Sequence, residues 1–450
     1  MKVYLETYGC QMNEYDSELI RSILAPHGHE MTAAVEEAEV VLINTCAIRE
    51  NAHRKIYGRL DILRPLKKEK KHFIVGVLGC MAQNLKEELF DHPVVSLVVG
   101  PDSYRALPRL IDEVIGTDRQ EQDGTLHVIE AYLSEYETYG DIAPTRVEGV
   151  NAWVAIMRGC DNFCTFCVVP YTRGRERSRS IENILSEVTS LAEKGYRQVT
   201  LLGQNVNSYR DEGRRFADLI LKVADVPGIE RVRFTSPHPK DFPKPLLEAI
   251  ASHPRICKHI HLPLQAGSDR ILDLMARTYT RKEYLRLVEE IRRTIPGIAL
   301  TTDIIVGFPT ETEEDFQETA GLFKDCRFDS AYIFKYSERK GTIASRKYPD
   351  DVPPEVKTDR IVRLIDLQRA ISLQKNREKI GRTLTVLIDG EADGPEKGSA
   401  TRKRPGHQMG KTEGNTTVVF PRTAFGPGTM VSVRIDDVSS STLYGRPVER

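Results

Sequence analysis

Three short stretches of the chain end alike. "KVYLETYGC", "AEVVLINTC" and "HFIVGVLGC" each run into a cysteine, at Cys10, Cys46 and Cys80, just ahead of a helical pattern. The first is β-like, and the other two are the nearly continuous apolar runs of parallel strands covered on both faces. The segments after them, such as "NEYDSELIRSILAPHG" and "MAQNLKEELF", have helical spacing, and "VSLVVGP" supplies a further strand. This alternation predicts an open, doubly wound parallel α/β domain over residues 1–140. Parallel strands share one carboxyl edge, where ligands bind. Cysteines 36 and 34 positions apart can therefore meet in space. The alternative is three unrelated, half-buried cysteines.

The rest of the chain divides at a polar stretch near residues 117–150, which reads as connection plus an edge strand. Beyond it, over residues 146–376, six strand candidates recur with helices between them: "AWVAIMR", "RQVTLLG", "RVRFTS", "HIHLPL", "ALTTDIIVGF" and "SAYIFKYS". A full barrel of this kind needs eight such units, so a six-unit partial (βα)6 barrel is expected. A long helix then leads to residues 378–447, where "TLTVLIDG", "TTVVFP" and "MVSVRIDD" predict a small antiparallel β-barrel. Between these strands "TRKRPGHQMGKTEGN" reads as a basic loop.

The 450 residues carry a net charge of −1, with 29% charged. That total neither favours nor excludes nucleic acid, since a basic face can hide in a neutral sum. The N-terminus lacks the apolar core of a signal peptide, and no apolar run nears the roughly 18 residues that span a bilayer. A cytoplasmic protein with no membrane contact is the expectation. In a reducing compartment, clustered thiols point to metal or catalysis and not to disulfides. Cys257 and Cys326 stand alone and read as small buried hydrophobes.

The barrel's first unit contains "MRGCDNFCTFCVVPYTRGRERSRS", with Cys160, Cys164 and Cys167 as C-x3-C-x2-C. A structural zinc site closes with four ligands, usually two short hooks, and no second hook is near, although a distant His or Cys could complete it. A 4Fe–4S cubane held by three thiolates keeps one iron open to a small molecule, and matches better. Polar residues gather at later strand ends: Gln204, Asn205 and Asn207, then Ser236 and His238, then Gln265 and Ser268, then Asp303 and Gly307. Each alone could be a satisfied loop group; together they suit a bound polar cofactor. Arg173, Arg175, Arg177 and Arg179 alternate after the cysteines. Phosphate or cofactor contact is the preferred reading for them, with internal ion pairs to barrel carboxylates as the alternative.

The C-x3-C-x2-C spacing, with aromatic Phe166 before the last cysteine, resembles the signature of radical S-adenosylmethionine enzymes. "TYGCQMNEYDS", "INTCAIRENA", "GVLGCMAQ", "LLGQNVNSY", "HLPLQAGSDRIL" and "TDIIVGFPTETEEDF" resemble the methylthiotransferase family within them, and the tail is similar to its RNA-binding TRAM domain. "YGCQMN" and "CTFCVVPYTRGRE" are most similar to members acting on isopentenylated adenosine in tRNA. The resemblance implies two 4Fe–4S clusters: a radical one on Cys160, Cys164 and Cys167, and an auxiliary one on Cys10, Cys46 and Cys80. It implies two molecules of S-adenosylmethionine per turnover, one methylating a cluster sulfur and one giving the radical that takes hydrogen from C2 of adenosine 37.

Phe166, Gln204, Asn205, Ser236, Gln265 and Asp303 are the expected cofactor contacts. Arg173, Arg175, Arg402, Lys403, Arg404 and Lys411 are the expected RNA contacts, on an anticodon stem-loop whose target base leaves its stack. A low-potential electron donor, such as flavodoxin or ferredoxin, and a monomer complete the expectation. Rival readings are a sister enzyme acting on threonylcarbamoyladenosine or on a ribosomal-protein aspartate, and a non-catalytic iron–sulfur protein that binds RNA.

Overall fold

The computed structural model describes residues 1–47, 50–70, 72–118, 127–146, 149–392 and 405–448. The first six strands are β1 (Lys2–Thr7), β2 (Glu30–Met31), β3 (Val40–Thr45), β4 (Ile74–Gly79), β5 (Leu97–Val99) and β6 (Val128–Glu130). They form one sheet in the order β2-β1-β3-β4-β5-β6, parallel throughout. Every residue of β3 and β4 is buried, because both faces are covered. Val40 and Leu42 turn toward α1 (Gln11–Leu24) and α4 (Leu107–Asp118). Val41 and Ile43 turn toward α2 (Glu50–Glu69) and α3 (Cys80–Leu85). The two-residue alternation of a strand thus builds two cores from one run.

The central domain holds six parallel strands in two groups of three. The first group is β7 (Asn151–Ala155), β10 (Gln198–Leu202) and β13 (Arg231–Phe234). The second is β14 (His259–His261), β15 (Ala299–Val306) and β16 (Ser330–Lys335). A single parallel bridge, Val232 to Ile256, links β13 to the segment entering β14. Short hairpins, β8 (Met157–Arg158) with β9 (Arg177–Ser178) and β11 (Arg210–Asp211) with β12 (Arg214–Arg215), decorate the first group. The expected partial barrel of six units is therefore present. Helices α6 (Ile181–Glu193), α7 (Phe216–Asp225), α8 (Lys244–Ser252), α10 (Arg281–Thr294) and α11 (Glu313–Cys326) lie around it, with short α5 (Val169–Arg173), α9 (Asp269–Leu274) and α12 (Ile343–Lys347) in the loops. Capping starts several of them: the Ser180 hydroxyl accepts the Asn183 N–H, and Thr280 with Glu283 and Thr312 with Asp315 make reciprocal boxes.

Helix α13 (Pro354–Arg377) leads to a closed barrel of β17 (Thr383–Glu391), β18 (His407–Thr412), β19 (Thr417–Pro421), β20 (Met430–Val438) and β21 (Thr442–Pro447), in the order β17-β18-β19-β21-β20. Two expectations change here. The barrel is not wholly antiparallel, since β21 enters between β20 and β19 and pairs parallel with β19. The supposed loop also contains β18. Gly410 is what allows it: a Cβ there would lie 2.1 Å from the Leu387 carbonyl oxygen. The turn after β18 docks on the amino ends of the central strands. Arg231 donates to the Lys411 carbonyl at 2.6 Å, Arg233 to the Thr412 carbonyl at 2.7 Å, and the Lys258 N–H to the Glu413 carboxylate at 3.0 Å.

Two cysteine triads at a domain interface

Cys10 is the residue before α1, Cys46 follows β3, and Cys80 opens α3. All three sit at the carboxyl edge of the first sheet. Gly9, at φ +137°, makes the approach possible: a Cβ there would lie 2.7 Å from Cβ of Cys46. Asn13 and Asn44 lace the first two loops together. Asn13 donates to the Thr45 carbonyl at 2.8 Å and to the Asn44 side chain at 3.3 Å, and Asn44 donates to the Asn13 carbonyl at 2.8 Å. The Cys10 thiol in turn donates to the Asn13 carbonyl oxygen of the side chain at 3.4 Å.

Cys160, Cys164 and Cys167 lie on one loop after β8. The Cys160 N–H donates to the Gly174 carbonyl at 3.1 Å, and Gly159, at φ +78°, lets the Arg175 carbonyl come where a Cβ would be. Thr165, between the cysteines, straps the loop across the open side of the barrel. Its N–H donates to Met275, its hydroxyl to Leu274, and its carbonyl accepts the Ala344 N–H. Burial raises these thiols: Cys160 to about 11 and Cys167 to about 12, with Cys80 also raised despite the pull of Arg173. A metal group bound here must therefore displace protons.

The two triads share an interface. Val168, next to Cys167, packs with Cys80 and Ala47 in one buried cluster, and α3 lies on α5. A buried ion network spans the same boundary. Asp16 of α1 meets Arg158 at 2.6 Å and Arg173 at 2.8 Å, while Asp102 meets Arg177 at 3.0 Å. Burial alone would raise the Asp16 carboxyl, but Arg158 and Arg173 hold it below its ordinary value. Three buried guanidiniums thus share two buried carboxylates. Among the described residues, Arg158 Nε and Nη1 and Arg173 Nη1 have no hydrogen-bond partner. That surplus of positive charge beside Cys80 fits an anionic thiolate-bound cluster, as does the all-thiol donor set. Among the described residues, no three His, Cys, Asp or Glu side chains are gathered to hold one metal ion.

This network corrects the reading of the arginine run. Arg173, Arg177 and Arg179 are buried, 3%, 7% and 3% exposed. They make the internal ion pairs that were the alternative, Arg179 with Glu187 at 2.7 Å. Two of the three carboxylates come from the first domain and not from the barrel. Arg173 is therefore closed to RNA. Arg175 alone of the four turns outward, over the Phe163 ring and 2.9 Å from Asp161. Lys411 is part of β18, its Nζ on the Thr417 hydroxyl at 2.7 Å and its backbone docked on Arg231. Arg402, Lys403 and Arg404 lie outside the described residues.

Of the expected cofactor residues, Gln204, Asn205, Ser236 and Gln265 follow the carboxyl ends of their strands, and Asp303 lies within β15. The Gln204 side-chain oxygen is buried without a hydrogen-bond partner among the described residues. Ser236 and Gln265 hold φ of +58° and +73°, strained values for such residues at a strand end. Asp303 faces His261 at 3.2 Å, and Phe166 packs on the barrel core. Asn205 and Asn207 are occupied otherwise: both accept the His238 N–H, at 3.2 and 2.8 Å. Ser268 is likewise spent, on Asp315 at 2.6 Å. Arg277 went unread in the sequence, with nothing in "LMARTYT" to mark it. Its Nη1 lies 3.3 Å from the Cys164 sulfur.

A partial parallel barrel with C-x3-C-x2-C at its carboxyl face defines the radical S-adenosylmethionine class, and residues 154–323 match the Radical SAM superfamily. Residues 2–100 match the Uncharacterized protein family UPF0004, and residues 377–448 the TRAM domain. The chain is 49% identical to the tRNA-2-methylthio-N(6)-dimethylallyladenosine synthase of Bacteroides fragilis, over 99% of this chain and 96% of that protein. The namesake in Porphyromonas gingivalis is 48% identical over 100% and 95%, and that of Chloroherpeton thalassium 46% over 99% and 95%. The chain belongs to this family of tRNA-2-methylthio-N(6)-dimethylallyladenosine synthases. Among solved structures, the radical S-adenosylmethionine methyltransferase TsrM from Kitasatospora setae, with cobalamin and a [4Fe-4S] cluster bound, is similar in fold. The TM-score is 0.55 at 16% identity, over 95% of this chain and 81% of that one.

Proposed function

We propose that the protein is a radical S-adenosylmethionine methylthiotransferase that converts N6-isopentenyladenosine at position 37 of tRNA into its 2-methylthio derivative. The observation that carries this reading is the packing of Cys80 against Val168, the neighbour of Cys167, across the domain boundary. Cys160, Cys164 and Cys167 would hold one 4Fe–4S cluster, and Cys10, Cys46 and Cys80 the second. When bound, the clusters and S-adenosylmethionine supply the methylated sulfur and the 5′-deoxyadenosyl radical that the reaction needs.

The chain's own residues bind, orient and exclude water. The unpartnered Gln204 oxygen and the strained Ser236 and Gln265 offer polar groups toward the cofactor. Asp303, Phe166 and the Asn205 loop complete that wall. The Thr165 strap closes the loop against the barrel and limits water. Arg175 is the exposed guanidinium that would approach phosphate, exchanging its surface pair with Asp161, with Arg402, Lys403, Arg404 and Lys411 of the tail as further RNA contacts. A flavodoxin or ferredoxin is the proposed electron source, and the protein is proposed to work as a cytoplasmic monomer. No helix among the described residues is long and apolar enough to cross a membrane.

The test is reconstituted, reduced protein with S-adenosylmethionine and anticodon stem-loops, followed by mass analysis of the nucleosides. The methylthio product is expected with isopentenylated adenosine. Product from threonylcarbamoyladenosine alone would overturn the substrate assignment.

A further inference from the structure

Each triad is met by one buried guanidinium. Arg173 Nε donates to the Cys80 sulfur at 3.2 Å, and Arg277 Nη1 donates to the Cys164 sulfur at 3.3 Å. They are 3% and 8% exposed. Their anchoring differs. Arg173 shares the Asp16 carboxylate with Arg158. Arg277 is fixed by neutral acceptors, the Tyr279 hydroxyl and the Pro263 carbonyl, each at 3.0 Å. Among the described residues no carboxylate forms an ion pair with it; its guanidinium also lies over the Tyr279 ring, 5.2 Å from the centroid. A guanidinium buried in this way needs a negative partner. Among the described residues the group in hydrogen-bond reach that can supply it is the Cys164 sulfur, as the ligand of an anionic cluster.

We infer that Arg277 and Arg173 are positioning residues that set the reduction potential of the cluster on each triad. Each does so by a charge-assisted hydrogen bond to one ligating sulfur. The inference rests on the two-cluster reading above. An added electron makes a cluster more negative, so a fixed positive charge at hydrogen-bond distance favours the reduced form and raises the potential. Arg277 has the larger effect, because no carboxylate offsets its charge. The two clusters are thereby tuned separately, by two arginines of the barrel domain, of which Arg173 reaches across the interface to Cys80.

The experiment is a redox titration followed by electron paramagnetic resonance on the reconstituted full-length chain. Each cluster is observed with the other triad changed to alanine, after iron has been counted. Arg277→Met is expected to lower the equilibrium constant for reduction of the Cys160–Cys164–Cys167 cluster at least tenfold, about 59 mV for one electron. Arg173→Met shifts the other cluster the same way by a smaller factor. Arg277→Lys and Arg173→Lys, which keep the charge, recover most of each shift and carry the test if a methionine variant does not fold. Full iron loading with unmoved potentials overturns the inference and leaves the two-cluster reading intact. Wild-type protein that loads only one cluster overturns that reading, and with it the inference for the empty triad.

Discussion

The two triads reach the same interface by opposite routes. Cys160, Cys164 and Cys167 occupy eight consecutive residues, and one loop sets their geometry. Cys10, Cys46 and Cys80 come from three strand ends and share one edge only because the sheet order places β3 between β1 and β4. One site is local and strapped by Thr165; the other is a property of the whole first domain, held by the Asn13 and Asn44 lattice. A local motif survives in any barrel that can house it. A site assembled from a sheet fails when any of its three loops shifts.

The sharpest break between the two is chemical. Replacing Cys160, Cys164 and Cys167 by alanine is expected to abolish both 5′-deoxyadenosine release and tRNA product, as followed by chromatography. Replacing Cys10, Cys46 and Cys80 should leave 5′-deoxyadenosine release in place while product falls below detection. Equal loss of both activities in the second variant would collapse the distinction.

The next effect lies on the bridge. Asp16→Ala leaves Arg158 and Arg173 buried without their carboxylate, and about 3–5 kcal/mol of stability should go. Denaturant unfolding measures it. The same change at the exposed Asp161, the partner of Arg175, should cost less than about 1 kcal/mol.

Acid separates the barrel side further. Burial, with Arg277 and Lys240 nearby, lowers His238 to about 2. Its Nδ1 accepts the Lys240 N–H, so the ring is neutral in the folded protein. The unfolded chain takes up a proton below pH 6.5 and the folded one does not. His238 therefore adds a stability term that is whole above pH 6.5 and falls by about 1.4 kcal/mol per pH unit below it. Buried His259 acts in the same direction. Unfolding at pH 7 and pH 5.5 should show His238→Asn losing roughly 1 kcal/mol less than wild type over that interval. The smallest effect is at Arg175→Ala, where one phosphate contact should disappear, lowering the salt slope of tRNA binding by about one unit.

Much of this was legible in the sequence for physical reasons. Runs such as "VVLINT" and "IVGVLG" read as strands hidden on both faces, and a helical stretch after each points to the parallel order. The cysteine spacing of the barrel loop speaks for itself. What stayed hidden depends on partners far along the chain. Arg173 pairs with Asp16 across 157 positions, and no local pattern tells a buried guanidinium from a phosphate-binding one. Arg277 reaches Cys164 across 113 positions. Strand β18 was obscured because Gly410 and Lys411 read as loop residues, yet glycine is what its close neighbour Leu387 requires. A glycine before a cysteine, in "YGC", "LGC" and "RGC", was the available signal for close packing at three of the six cysteines.

The most direct test of the account is the iron content of anaerobically reconstituted protein, wild type beside variants lacking either triad. Two independent clusters predict about eight irons per chain, falling to about four when either triad becomes alanine. About four irons in the wild type, unchanged on removing Cys10, Cys46 and Cys80, would contradict it.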